Sequence, residues 1–168
     1  GVGFRPFIYR LAHHYSLTGW VQNRSGEVLI TAQGKIHKLN AFQQDIVTQH
    51  PPLAKPFIAS VKPVKHTSFA DFIIKKSALS EQAQRHIPAD FSTCNDCLSE
   101  LSNPDERRYH YPFINCTQCG PRYTIIRDLP YDRPNTSLKN FPLCSSCYHE
   151  YSNTLDRRFH AQPLACEQ

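Results

Sequence analysis

The chain contains no methionine, and its 168 residues include one Trp and six Gly. No stretch approaches the ~20 consecutive apolar residues of a membrane helix, and no basic stretch followed by an apolar one opens the sequence. These residues therefore exclude a membrane span and a secretory signal, and we expect a cytoplasmic protein. A 40% share of hydrophobic residues supports one modest core or two small ones and excludes disorder. Because methionine is missing and a glycine motif opens the sequence, we expect the natural chain to extend upstream.

Cysteine is missing from the first half of the chain, and acidic residues are scarce there. Residues 1–78 carry ten Lys and Arg against three Asp and Glu, whereas residues 79–168 carry nine against eleven, and all seven cysteines. A basic half and a cysteine-rich half predict two units with different roles. We predict a first unit over residues 1–78 and a linker over residues 79–93, around the polar stretch SALSEQAQRHIPADF.

The basic excess at first favours a nucleic-acid partner. The sequence pI is near 8.9, but that value counts the cysteines as neutral thiols, whereas metal-bound cysteines are thiolates. With seven thiolates and two zinc ions, the formal charge falls from +5 to about +2. Nucleic acid is then disfavoured, and the excess on the first half suits a small anionic substrate.

The clearest feature of the sequence is an internal repeat of 50 residues. A C-x2-C-x18-C-x2-C pattern and its partial copy place the cysteines at Cys94, Cys97, Cys116, Cys119, Cys144, Cys147 and Cys166. The flanking sequence repeats as well, since NPDERRYH at 103–110 returns as NTLDRRFH at 153–160. We therefore predict a duplicated module, with one copy and its connector over residues 94–143 and a truncated copy over residues 144–168.

The cysteine spacing predicts structural zinc at both copies. Two CxxC hairpins separated by about 15 to 20 residues bring four thiolates to the corners of a tetrahedron. Four sulfur ligands leave no position for water, so such a site stabilises and does not catalyse; zinc can contribute roughly 10–16 kcal/mol to the folding of so small a module. The odd cysteine count disfavours a disulfide framework, and the Pro- and Asn-rich surroundings disfavour a redox pair.

The second zinc site has three cysteines in this chain, which leaves its fourth ligand open. The repeat places that ligand at the first position after Gln168, and His160 is an alternative. Its counterpart His110 lies beside a complete four-cysteine set, so packing or hydrogen bonding is the favoured role of both histidines.

The connector between the modules is rich in turns. Tyr123–Ile126 is predicted as a short strand, and Pro130, Pro134 and Asn135 as turn residues. Tyrosines and arginines interleave here, a mixture that suits stacking on RNA or contact with a neighbouring domain. We favour the domain interface.

Periodicity and turn residues predict a compact α+β unit in the first half. The turn NRSG between two β-rich runs is a hairpin signal. The predicted elements are, in order, helix Arg5–Leu17, strands Gly19–Gln22 and Glu27–Thr31, helix Lys35–Gln49, and strands Phe57–Val64 and Phe69–Lys75.

This order matches a ferredoxin-like βαββαβ sandwich whose first strand is missing and would precede Gly1. In that topology the missing strand lies inside the sheet, and its two neighbours would lose their backbone hydrogen-bond partners. We therefore expect a polypeptide that starts at Gly1 to fold poorly. A reversible, cooperative melt of that peptide would contradict this expectation.

The opening residues carry the candidate chemistry. In the segment GVGFR, two glycines form a turn into a helix, so that backbone N–H groups and the helix N-terminus converge on an anion beside the Arg5 guanidinium. Alone, the pattern is also typical of a glycine turn with an exposed arginine. GVGFRPFIYRLA followed by GWVQNRSGEV, however, resembles the acylphosphatase family over about residues 1–77.

This resemblance implies an acylphosphatase-like fold and a specific site. In the family, the loop matching Val2, Gly3 and Phe4 cradles a phosphate. The arginine matching Arg5 binds that phosphate, and the asparagine matching Asn23 orients the attacking water. An acyl phosphate is already activated, so its hydrolysis needs charge stabilisation and a positioned water more than a nucleophile or a metal.

Both halves together resemble a larger family. An acylphosphatase-like unit followed by duplicated cysteine modules, with CTQCGPRYTIIRDLPYDRPNTS between them and DRRFHAQPLAC at the end, is similar to the N-terminal part of the HypF family, the carbamoyltransferases of NiFe-hydrogenase maturation. The resemblance implies carbamoyl phosphate as substrate. It also implies downstream domains that form a carbamoyl adenylate with ATP and pass the carbamoyl group to a cysteine of the partner protein HypE. That group becomes the cyanide ligand of the hydrogenase iron.

The function expected from the sequence is therefore hydrolysis of carbamoyl phosphate to carbamate and phosphate within a carbamoyltransferase. Zinc is structural at two sites, and ATP is used only by the downstream domains. No ATP-binding loop is recognisable in these residues, so this part is not expected to transfer carbamoyl groups alone. Two alternatives stay open: a stand-alone acylphosphatase with structural zinc modules, and a non-catalytic, zinc-dependent RNA-binding module.

Overall fold

A computed structural model describes residues 3–24, 27–78, 90–129 and 131–166. Two compact units divide the chain: Phe4–Arg85 form one, and His86–Gln168 with the first three residues form the other. Most of the predicted linker, residues 79–89, lies outside the described residues. Within the described ranges, every helix is too short or too polar to cross a bilayer.

The described part of the first unit consists of two helices and a three-stranded sheet. Its elements are, in chain order, α1 (Phe4–His14), β1 (Thr18–Arg24), β2 (Glu27–Gln33), α2 (Ile36–Thr48) and β3 (Phe72–Ile74). The sheet order is β2-β1-β3, in which β1 and β2 form an antiparallel hairpin and β3 runs parallel to β1. The predicted α+β fold is confirmed, as are both helices and the hairpin.

The core of the first unit lies where α1 and α2 pack against the sheet. Ile8, Val21 and Phe72 are fully buried at its centre. Gly19 allows the hairpin strands to approach closely, because a Cβ at this position would lie 2.0 Å from the Thr31 carbonyl oxygen. Its φ of +140° is also a conformation that only glycine adopts readily.

The strand predicted over Phe57–Val64 is wrong. These residues are irregular, none of the described strands pairs with them, and Phe57 is 83% exposed. Alternating apolar residues form a strand only where a neighbouring strand supplies hydrogen bonds, and Pro63 lacks an N–H group to donate. The last predicted strand is present in shortened form as β3.

The second unit contains both copies of the repeat, here named the first finger (residues 94–119) and the second finger (residues 144–166). Their helices, α3 (Asn95–Ser102) and α4 (Ser145–Ser152), begin at equivalent positions. Each finger has a small core of its own. Buried residues of these cores are Cys97, Tyr111, Ile114, Cys116 and Cys119 in the first finger, and Cys147, Ala161 and Leu164 in the second.

The residues that recur in sequence make equivalent contacts in structure. The Oδ1 atom of Asn103 accepts the N–H of the residue two positions on at 3.2 Å, and that of Asn153 does the same at 3.0 Å. His110 and His160 have φ values of +55° and +57°, and each donates its backbone N–H to the last turn of its finger's helix. The sequence repeat is therefore a structural repeat.

The connector contains 3-10 turns where a strand was predicted over Tyr123–Ile126. Tyr123–Ile125 forms one such turn, and Ile126 pairs with Thr136 in an isolated bridge. A single pair of residues is too short for a strand, so the prediction is wrong. Arg133–Asn135 forms a second 3-10 turn, which confirms the predicted turn residues Pro134 and Asn135, and Pro130 lies outside the described residues.

Candidate functional site

Four cysteines of the first finger converge on one point. Cys94 caps α3 and Cys97 lies in its first turn, whereas Cys116 and Cys119 bracket a 3-10 turn. All four Sγ atoms lie within 4.8 Å of one another. The Sγ atoms of Cys94 and Cys116 are 3.6 Å apart, and those of Cys116 and Cys119 are 3.9 Å apart.

Three cysteines of the second finger form the equivalent group. Cys144 caps α4, Cys147 lies in its first turn, and Cys166 approaches from the end of the finger. The Sγ atoms of Cys144 and Cys166 are 3.4 Å apart. The Cys147 backbone N–H, 3.4 Å from the sulfur of Cys144, lowers the pKa of that thiol to about 7. This group presents thiolates in the same arrangement as the first finger.

The sulfur positions fit a tetrahedral zinc ion. With a Zn–S distance of about 2.3 Å, tetrahedral sulfurs lie roughly 3.8 Å apart, which matches the first finger, whereas a disulfide requires about 2.05 Å. Backbone N–H groups also point at these sulfurs, from Cys94 to Cys119 at 3.4 Å and from Gln118 to Cys116 at 3.3 Å. A zinc ion held here would supply folding energy, because the four sulfurs would complete its coordination.

His160 does not belong to the ligand group formed by the described residues of the second finger. Its ring stacks on Tyr151 with centroids 5.3 Å apart and planes within 6°. His110 stacks in a similar way on Tyr109, at 3.8 Å. Both histidines therefore have the packing role that the sequence favours, and the predicted position after Gln168 stays a prediction for the fourth ligand.

Two arginines of the first finger contact the metal site of the second. The Nη2 atom of Arg108 donates to the Cys147 sulfur at 3.2 Å, and Nη1 of Arg107 donates to the same sulfur at 3.4 Å. Both guanidinium groups also bind Glu150, at 2.6 Å from Arg108 and 2.8 Å from Arg107. The Nε of Arg108 donates to the Ala165 carbonyl at 3.2 Å.

The second finger makes the equivalent contacts to the first, shifted by 50 residues. Arg157 donates to the Cys97 sulfur at 2.9 Å and binds Glu100 at 2.5 Å. Arg158 binds the other oxygen of Glu100 at 2.5 Å, and its Nε donates to the Asn115 carbonyl at 3.0 Å. Each finger therefore supplies cations to the cysteine cluster of the other.

Sequence reasoning finds the recurrence of the arginine pairs but assigns them no role. The signal is the exact return of these pairs after 50 residues, each pair beginning five positions after the end of a helix that carries one glutamate at the same register. Each arginine pair has a glutamate of its own finger nearby in sequence, Glu100 or Glu150. The sequence alone therefore does not show that each pair binds the glutamate of the other finger.

The charges of this arrangement balance. Burial raises the pKa of Glu150, but hydrogen bonds from Arg108 and Arg107 outweigh it and lower that pKa to about 2. The polar cleft beside these groups is lined by Glu100, Glu106, Arg107, Arg108, Glu150, Leu155, Asp156, Arg157 and Arg158. Four arginines thus face four carboxylates, and the cleft is a self-paired surface.

Arginines of the connector also have partners within the second unit. Arg122 donates to the Phe91 and Cys119 carbonyls at 3.1 Å. Arg133 donates to the Leu164 carbonyl at 2.7 Å and binds further carbonyls of the second finger and the connector. These side chains fasten the connector to the fingers.

The predicted phosphate-binding residues lie at the start of the chain, and Phe4 and Arg5 belong to the first unit. Val2 lies outside the described residues, Gly3 has a left-handed φ of +71°, and Phe4 begins α1. Arg5 lies in the first turn of α1, and its Nη1 donates to the Ser77 hydroxyl at 3.1 Å. A guanidinium held beside a helix N-terminus suits an anion.

The predicted water-positioning residue lies on a strand linked to the same segment. Asn23 is near the end of β1, opposite Val28 of the hairpin, and its carbonyl accepts the Ala78 N–H at 2.9 Å. Ser77 and Ala78 therefore connect the helix that carries Arg5 with the strand that carries Asn23. Sequence reasoning misses Ser77, which lies in no recognised motif.

Family models match both units. The Acylphosphatase family matches residues 1–74, and the HypF finger matches residues 93–126 and 143–168. The chain is 47% identical over 137 residues to the probable carbamoyltransferase HypF of Methanocaldococcus jannaschii, and this match covers 80% of this chain and 18% of that protein. A crystal structure of full-length HypF in the phosphate- and nucleotide-bound form matches 99% of this chain and 22% of that chain, with 45% identity and a TM-score of 0.89. The chain belongs to the HypF family.

Within the HypF family, these residues correspond to the N-terminal region of a larger protein. The chain spans about a fifth of the length of the HypF relatives it matches. Its first unit is also 37% identical over 76 residues to the acylphosphatase of Thermotoga petrophila. This match covers 45% of this chain and 83% of that acylphosphatase. The acylphosphatase and HypF resemblances drawn from the sequence are both confirmed.

Proposed function

We propose that the first unit hydrolyses carbamoyl phosphate to carbamate and phosphate as one step of a carbamoyltransferase. The observation that carries this proposal is Arg5, held by Ser77 at the first turn of α1 in a unit of the acylphosphatase family. The guanidinium and the backbone N–H groups of Val2, Gly3 and Phe4 bind the phosphoryl oxygens. This site needs no metal, because the substrate is an activated anhydride.

In the proposed reaction, a water molecule oriented by the Asn23 side chain attacks phosphorus. The bond between phosphorus and the carbamoyl oxygen breaks as the new P–O bond forms, carbamate leaves as an anion, and the water proton passes to the phosphate oxygens. Charge that builds on the phosphoryl oxygens in the transition state is stabilised by Arg5. The basic excess of residues 1–78 favours capture of the anionic substrate.

The proposed step feeds later chemistry of the full-length protein. The relatives that share both units are named carbamoyltransferases, and one HypF structure is described as phosphate- and nucleotide-bound. In the full-length protein, carbamate would react with ATP in the downstream domains, and the carbamoyl group would pass to a cysteine of HypE. The fingers are structural in this scheme: the four sulfurs of the first finger leave no open position on zinc, and the second finger takes the same role with the fourth ligand predicted after Gln168.

The experiment is phosphate release from carbamoyl phosphate by the full-length protein. Arg5→Ala and Asn23→Ala are each expected to lower kcat/KM on the order of 100-fold, the usual effect of removing one group that stabilises the transition state. Gln22→Ala is the matched control for Asn23, because the neighbouring amide lies on the opposite face of β1. Lys55→Ala controls for the loss of one exposed positive charge. Folded, zinc-loaded Arg5 and Asn23 variants with unchanged kcat/KM would refute the proposed site.

A stand-alone acylphosphatase is the second candidate, favoured by the match of the first unit to 83% of a Thermotoga acylphosphatase. It predicts that acetyl phosphate and carbamoyl phosphate are hydrolysed equally well and that ATP and HypE have no effect. The RNA-binding alternative is disfavoured, because the repeated arginines of the fingers are paired with carboxylates, and Arg122 and Arg133 of the connector with carbonyls. RNA binding at ~50 mM salt that weakens with Arg122→Ala and Tyr123→Ala would restore it.

A further inference from the structure

We propose that the two fingers form one cooperative zinc-binding unit, in which the arginines of each finger complete the metal site of the other. The observation behind this proposal is the crossed set of contacts from Arg157 to Cys97 and from Arg107 and Arg108 to Cys147. These contacts follow the pseudo-symmetry of the 50-residue repeat, so they are built into both copies.

The charge of a four-cysteine zinc site explains the need for these arginines. Four thiolates around Zn²⁺ carry a formal charge of −2, and the Cys97 sulfur is fully buried with the Arg157 guanidinium 2.9 Å away. A hydrogen bond from a cation to a thiolate stabilises the charged form and thereby the metal-bound state. Among the described residues, the guanidinium that donates to a ligand sulfur of the first finger belongs to the second finger.

Glutamates fix the direction of each arginine. Glu100 of the first finger binds Arg157 and Arg158 with its two oxygens, and Glu150 does the same for Arg107 and Arg108. These pairs form only when both fingers are folded, and small modules of this kind fold when they take up metal. Loss of zinc from one finger therefore removes hydrogen-bond donors from the thiolates of the other.

The coupling must act equally in both directions. If folding of the second finger raises the zinc affinity of the first by a given factor, thermodynamic linkage requires the converse with the same factor. Removal of groups that hold metal ligands commonly costs 10- to 100-fold in metal affinity, which sets the expected size of the effect at roughly this range. The full unit thus gains and loses its two zinc ions together.

The decisive experiment compares Arg157→Gln with Arg107→Gln in the full-length, zinc-loaded protein. Timed exposure to a chelator is followed by alkylation of released thiols, and peptide mass spectrometry reports each cysteine cluster separately. Arg157→Gln is expected to speed zinc release about 10- to 100-fold first at the four-cysteine cluster of the first finger. Arg107→Gln is expected to act first at the Cys144, Cys147 and Cys166 cluster.

Arg127→Gln is the matched control, because it removes an exposed arginine of the connector that lies outside the crossed arrangement. It is expected to leave both release rates unchanged. The proposal is overturned if each arginine variant loses zinc first from its own finger, or if neither cluster responds in either variant.

A measurement on the unmodified protein covers the case in which the glutamine variants take up no zinc. Native mass spectrometry during chelation is expected to show chains with two zinc ions and chains with none, with little of the one-zinc form. Accumulation of one-zinc chains as the main species would overturn the proposal.

Arg157→Lys keeps the charge and loses the two-pronged geometry of the guanidinium. It is expected to speed zinc release, as Arg157→Gln does, but by a smaller factor.

Discussion

The two units of this chain are stabilised by different means. In the first unit, two helices bury Ile8, Val21 and Phe72 against a sheet, and the described core contains no charged group. In the second unit, the cores consist largely of cysteines, and Arg108 and Arg158 are buried as deeply as the apolar side chains. The first unit is stabilised by removal of apolar surface from water, whereas the second combines paired charges with cysteine clusters that fit zinc.

This difference predicts that loss of zinc unfolds the second unit and leaves the first largely unchanged. Cys94→Ser is expected to unfold the second unit and largely spare the first, because zinc supplies roughly 10–16 kcal/mol of apparent binding free energy to such modules. Hydrogen exchange followed by mass spectrometry can report residues 4–78 and 90–166 separately. Ser99→Ala on the exposed face of α3 is the control. A uniform rise of exchange in both units would show that the chain does not divide in this way.

The converse perturbation is a cavity in the first core. Phe72→Ala removes a fully buried ring from β3 and is expected to cost about 3–5 kcal/mol of the free energy of unfolding of the first unit. Zinc content per chain should remain unchanged. Ile73→Ala is the matched control, because its side chain lies on the other face of the same strand and is half exposed. Zinc loss in the Phe72 variant would mean that the two means of stabilisation are not independent.

Glu150→Gln is expected to have an intermediate effect on the free energy of unfolding of the second unit. Hydrogen bonds from Arg108 and Arg107 lower the pKa of the Glu150 carboxyl to about 2 in the folded chain, against about 4.5 when unfolded, so its charged form stabilises the folded state by about 1–3 kcal/mol once solvent screening of this partly exposed group is discounted. Because the folded pKa is depressed, that contribution is complete above about pH 4.5 and is lost as the pH falls toward 2. The stability difference between parent and variant, measured by denaturant titration in excess zinc, should be constant from pH 7 to 5 and narrow below that. A difference that grows on acidification would contradict this linkage.

Local patterns in the sequence are sufficient for much of this picture. The two helices of the first unit, the NRSG hairpin and the cysteine clusters follow from spacings within about 26 residues, and each is present in the structure, whereas α3 and α4 are not predicted. Phe57–Val64 and Tyr123–Ile126 have equally good strand composition, yet a strand also needs a neighbour, and neighbours are not encoded locally. The crossed arginines belong to the same class, since their partners lie about 40 to 60 residues away.

The smallest effect is expected from Ser77→Ala, which changes neither the apolar core of the first unit nor the cysteine clusters of the second. Its hydroxyl accepts a hydrogen bond from Arg5 at a partly buried position, so Ser77→Ala should loosen the guanidinium without disturbing the core. The loss of one such bond is worth roughly 1 kcal/mol, which corresponds to about a fivefold fall in kcat/KM for carbamoyl phosphate. Ser77→Thr should restore the parent value, and Ser68→Ala, in the exposed irregular segment, should not change it. Because Ser77 acts only through Arg5, its substitution in an Arg5→Ala background should have no further effect; an additive loss would mean that the hydroxyl contributes in some other way.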